Sequence, residues 1–75
     1  MTLQELYREG IRKLEEKGVP EAELNAWYLF QSCLSEEPFS YTRSRFFLEQ
    51  TEQAEPETAT VYMEKISKRC QRIPL

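Results

Sequence analysis

The sequence predicts an all-α domain, a compact bundle of four to five helices, and three observations carry that prediction. Apolar residues recur at spacings of three and four through most of the chain, as one face of an amphipathic helix requires. Helix start and stop residues stand at the boundaries of those stretches: Thr2 with Glu5, Gly18-Val19-Pro20, and Pro56-Glu57. No run makes a convincing strand, and 75 residues suffice for one domain.

Thr2 and Glu5 fit a capping box, so the first helix begins almost at the first residue. Leu3, Leu6, Tyr7, Gly10, Ile11 and Leu14 then share one face, and Glu9 and Lys13 are ordered for an i,i+4 ion pair. Gly18 is placed as a left-handed C′ residue, with Val19 set to touch Leu14 in a Schellman motif. Pro20 suits the first position of a second helix, with Glu21 and Glu23 at the positive end of its dipole. From Leu24 to Leu34 the chain is apolar on most sides, with Leu24, Trp27, Phe30 and Leu34 in helical register, so this helix is expected at the centre of the core.

Ser35 to Pro38 breaks the pattern, and Phe39 to Gln50 holds a short third helix anchored by Phe39, Phe46, Phe47 and Leu48. Tyr41, Arg43, Arg45, Phe46 and Phe47 interleave as in a base-stacking surface, but such platforms stand mostly on sheets or OB folds. The reading is therefore aromatics in the core and arginines on the solvated face. Thr51 to Glu55 is a polar linker, and a fourth helix starts at Pro56 with a buried stripe of Ala59, Tyr62, Met63, Ile66 and Cys70. Lys65, Lys68, Arg69 and Arg72 crowd one side of it. Two explanations fit these cations: each stabilises a helix C-terminus by about 0.3–1 kcal/mol, or together they form a surface for a partner or a neighbouring domain.

Charge is uneven along the chain. The net charge of −3 divides into −4 over residues 1–37 and +1 over residues 38–75, where four of the bases lie between Lys65 and Arg72. Direct nucleic-acid binding is not expected from so acidic a chain, since neutralising phosphates takes a broad basic surface. Cys33 and Cys70 continue helical apolar faces and read as reduced core thiols of a cytoplasmic protein, in preference to a disulfide. No apolar run approaches the roughly 20 residues that span a bilayer, so no membrane association is expected.

Catalytic chemistry is excluded mostly by composition. With no histidine, the usual serine or cysteine triads and His-containing zinc sites cannot be built. Gly10 and Gly18 are the only glycines, too few for a P-loop or a dinucleotide-binding loop. Glu15/Glu16 and Glu36/Glu37 are sequence neighbours, and neighbours on a helix diverge. The chain by itself is expected to hold no catalytic, cofactor or metal site.

Two stretches together resemble the helical N-terminal domain of the HemK/PrmC family, the protein-(glutamine-N5) methyltransferases that modify peptide-chain release factors. Asn25-Ala26-Trp27-Tyr28-Leu29-Phe30 is similar to that family's D-A-E-x-L-L segment, with Asn25 and Trp27 where acidic residues are usual. Pro56-Glu57 through Lys68-Arg69 and on to Pro74-Leu75 is similar to its P-E…R-R-x-x-G-E-P-L segment, with Lys68 and Arg72-Ile73 departing from it. The resemblance implies that residues 1–75 are a substrate-recognition domain. It further implies a catalytic Rossmann-like domain, absent from this sequence, that binds S-adenosylmethionine and holds the glutamine of the release factor's Gly-Gly-Gln loop with an Asn-Pro-Pro-Tyr motif. The implied partners are the release factor and the protein's own catalytic domain, with Lys65, Lys68, Arg69 and Arg72 as candidate surface residues. The abrupt stop after Pro74-Leu75 fits a chain that continues. A stand-alone helical adaptor for a protein or nucleic-acid partner is the alternative.

Overall fold

The computed structural model describes residues 1–34 and 41–71, which form four helices: α1 (Leu3–Glu16), α2 (Ala22–Leu34), α3 (Arg43–Glu49) and α4 (Pro56–Gln71). The two ends of α1 follow the sequence signals closely. Thr2 N–H donates to Glu5 Oε1 at 2.8 Å and Glu5 N–H donates to Thr2 Oγ1 at 3.2 Å, which satisfies two orphan donors reciprocally. At the other end Gly18 takes φ +73°, its N–H donates to Glu15 O, and Val19 N–H donates to Leu14 O, which is the full Schellman pattern.

The start of α2 differs from expectation. It begins at Ala22 and not at Pro20, because Glu21 sits at φ +52°, a left-handed value that no helical residue can hold. Glu21 instead acts as the cap, its carbonyl accepting from Asn25 N–H at 2.9 Å. The expected Glu9–Lys13 pair is replaced by Arg12, which bridges Glu9 and Glu16 on the exposed face of α1. Those pairs are solvated and contribute little to stability.

α1, α2 and α4 pack pairwise around one core, with α3 lying against it through a single ring. From α1 come Leu3, Leu6, Tyr7 and Leu14; from α2, Ala26, Trp27 and Phe30; from α4, Tyr62 and Ile66. Aromatic rings meet there edge to face, a preferred geometry for their quadrupoles: Phe30 and Tyr62 lie 5.3 Å apart at 85°, and Phe30 and Phe46 lie 5.3 Å apart at 82°. Every buried side-chain polar atom among the described residues has a partner. The buried Gln31 donates to the Tyr41 carbonyl at 2.8 Å, fixing the chain before α3.

Gly10 is what lets α4 close on α1. A Cβ built there would lie 2.0 Å from Tyr62 Oη, whose hydroxyl donates to the Tyr7 carbonyl at 3.2 Å. The polar linker before α4 is likewise structured. Leu3 N–H donates to Glu52 O and Gln4 N–H to Gln50 O, while Ala54 N–H donates to Met1 O. Thr2 and Gln53 thus form an isolated antiparallel bridge that also satisfies the first donors of α1.

Three residues expected in the core, Phe47, Leu48 and Leu24, face solvent. Of the third helix's apolar residues only Phe46 packs inward, whereas Phe47 is 70% and Leu48 is 78% exposed. Phe39 lies outside the described residues. On α2, Leu24 is exposed along with Tyr28, so that helix is central on one side only. The reason is geometric, since α1, α4 and Phe46 leave one stretch of its circumference uncovered.

Candidate interaction surface

Lys65, Lys68 and Arg69 come together, and Arg72 lies outside the described residues. Spacings of three and four place the three on the flank of α4 that faces α2, where they rim a depression of about 200 Å³ floored by Leu29. Lys65 Nζ donates to Ser32 Oγ at 2.9 Å, and Arg69 Nε donates to Asn25 Oδ1 at 3.2 Å. Asn25 is itself held, its Nδ2 donating to the carbonyls of Pro20 and Glu21 at 2.9 and 3.1 Å. Two of the three cations therefore help seat α4 on α2. Lys68 is exposed and has no side-chain partner among the described residues.

A second surface lies on α3, and the sequence pattern did not find it. Arg43 holds its guanidinium 4.3 Å from the centre of the Trp27 ring and 3.5 Å from Tyr7 Oη. Arg45 stands 5.2 Å from the Tyr41 ring and pairs with Glu49 at 3.3 Å. Both arginines are exposed, but each lies over an aromatic ring, so the division into core rings and freely solvated arginines is incomplete. Their alternation with Phe46 was the visible signal. What it could not show was that the next two apolar residues face solvent.

Chemically reactive arrangements are absent among the described residues. No three His, Cys, Asp or Glu side chains converge as metal ligands would. Cys33 lies on α2 and Cys70 on α4, and both are free and half-buried. Burial pushes the Cys33 thiol above its ordinary value, against the pull of the Lys65 ammonium, so it is not an activated nucleophile. No helix is long and apolar enough to cross a membrane among the described residues.

The two stretches that mark the sequence, Asn25–Phe30 and the fourth helix, thus touch through Arg69 and Asn25. The family model described as PrmC N-terminal domain matches residues 5–75. The chain belongs to the PrmC N-terminal domain family. No curated protein and no solved structure was matched. As a PrmC N-terminal domain the chain belongs to a family of methyltransferases, and its matched span includes all four helices except the first two residues of α1.

Proposed function

We propose that this chain is the substrate-recognition domain of a protein-(glutamine-N5) methyltransferase and binds a peptide-chain release factor in the cytoplasm. The observation that carries this reading is the match to the PrmC N-terminal domain over residues 5–75. In this reading a separate Rossmann-like domain binds S-adenosylmethionine and transfers its methyl group to the glutamine of the Gly-Gly-Gln loop. The chain's own residues do not fit that cofactor. Gly10 is filled by Tyr62 and Gly18 closes α1, so neither glycine is free to cradle a ligand backbone to backbone. The domain's part in the reaction is to hold and orient, which lowers the entropic cost of bringing the glutamine to the methyl donor.

Lys68 is the candidate contact on α4, either to the release factor or to the catalytic domain, because Lys65 and Arg69 are engaged with α2. A rim cation acts mainly on association rate and salt dependence. Calorimetric titration of the chain with a purified release factor tests the role: binding is expected, and Lys68→Glu should weaken it by about threefold to tenfold with an unchanged thermal midpoint. Absence of binding, together with undiminished methylation by the parent enzyme lacking this domain, would refute the recognition role. A stop codon after Leu75 in the parent gene would favour the stand-alone adaptor.

A further inference from the structure

Phe47 and Leu48 are the two most exposed large apolar side chains among the described residues, at 70% and 78%. They are adjacent, on a helix of seven residues, and with Arg43 and Ser44 they line an open depression of about 420 Å³. Single exposed apolar side chains are ordinary, but this pair holds nothing in the fold. α3 is fixed without them, by the Thr42 cap, by Phe46 against Tyr7 and Phe30, and by Arg43 over Trp27.

The charges beside the pair select its occupant. Arg43 and Arg45 stand in the first turn of α3, where the dipole disfavours cations, so helix stability does not account for them. Arg45 is paired with Glu49, at the far end of the helix. Among the described residues Arg43 has only neutral partners, Trp27 and the Tyr7 hydroxyl, and stands at the edge of the depression. Being held over a ring, it has already lost the freedom that a mobile arginine gives up on binding.

We propose that the face formed by Arg43, Phe47 and Leu48 docks an acidic segment of the release factor that carries an exposed apolar side chain. The apolar group enters the depression and a neighbouring carboxylate pairs with Arg43. This assignment rests on the recognition role proposed above and places the central apolar contact on α3, with Lys68 on α4 contributing only a rim charge. A nucleic-acid strand fits the face less well, since the chain as a whole is acidic, with a net charge of −3.

The test compares four chains in calorimetric titrations with purified release factor: the native sequence, Phe47→Ser/Leu48→Ser, Arg43→Gln and Lys68→Glu. The double variant should lose at least about tenfold in affinity, as loss of a central apolar contact does, with a thermal midpoint equal to the native one. Arg43→Gln should weaken binding most at low salt. Native-like binding by the double variant, with loss only in Lys68→Glu, overturns the α3 assignment and leaves the recognition role standing. No binding by the native chain removes both. Self-association that the double variant abolishes, with release-factor affinity unchanged, identifies a second copy as the occupant and also overturns the proposal.

Discussion

Gly10 and Tyr62 show how much one missing Cβ can matter. Alanine normally gains about 1 kcal/mol over glycine inside a helix, yet at Gly10 the new methyl would meet Tyr62 Oη at 2.0 Å. Gly10→Ala should therefore destabilise the domain by about 1–3 kcal/mol, read as a lower thermal midpoint. In a Tyr62→Leu background the sign of the same substitution should reverse, and a double-mutant cycle measures that coupling. Tyr62→Phe removes the buried hydrogen bond to the Tyr7 carbonyl, which keeps its helical donor, and should cost about 0.5–1.5 kcal/mol. Sequence alone places Gly10 on the buried face. It cannot reveal the close approach, because the partner stands 52 positions away and its rotamer depends on the packed core.

At the scale of elements, the caps of α1 were legible, while the start of α2 and the orientation of α3 were not. The Thr2–Glu5 box and the Gly18–Val19 turn are local devices, complete within a few residues, so the sequence contains all that determines them. Gly18→Ala should cost about 1 kcal/mol although nothing lies within 4 Å of the added Cβ, because φ +73° is unfavourable for any residue with a side chain; chemical denaturation would measure it. α3 is a different case. With three consecutive apolar residues, each about 100° from the next on a helix, only one of Phe46, Phe47 and Leu48 can point squarely at the core, and seven residues carry too little periodicity to say which. The basic flank was legible as a cluster. Its division into Lys65 and Arg69, which seat α4, and Lys68, which does not, depends on the positions of Ser32 and Asn25 on another helix.

For the molecule as a whole, the tyrosines tie stability to alkaline pH. Burial, reinforced by the Glu49 carboxylate, pushes Tyr41 from 10.0 up to about 12, and burial raises Tyr62 and Tyr7 as well. A phenol whose folded pKa is raised binds its proton more tightly in the folded state. The stability it contributes is complete below pH 10 and is lost as pH rises towards 12. Thermal midpoints should accordingly fall across that interval, and the rise in tyrosinate absorbance should coincide with loss of helical circular dichroism. A Tyr41→Phe chain should show a shallower fall, whereas an unchanged slope would place the effect in the other tyrosines.

The bond between Tyr62 and the Tyr7 carbonyl and the pairing of Met1 with Ala54 bear on how the chain is made. Both join the first helix, or the residue leading into it, to segments more than 50 positions later, so no early portion of the nascent chain can complete the core. While the ribosome is still extending the polypeptide, α1 has α2 for company but leaves the side that receives Tyr62 and Ile66 open to water. Final packing must wait until the fourth helix has cleared the exit tunnel. In a protein that continues beyond this domain, synthesis of the downstream segment would then overlap with the moment of closure.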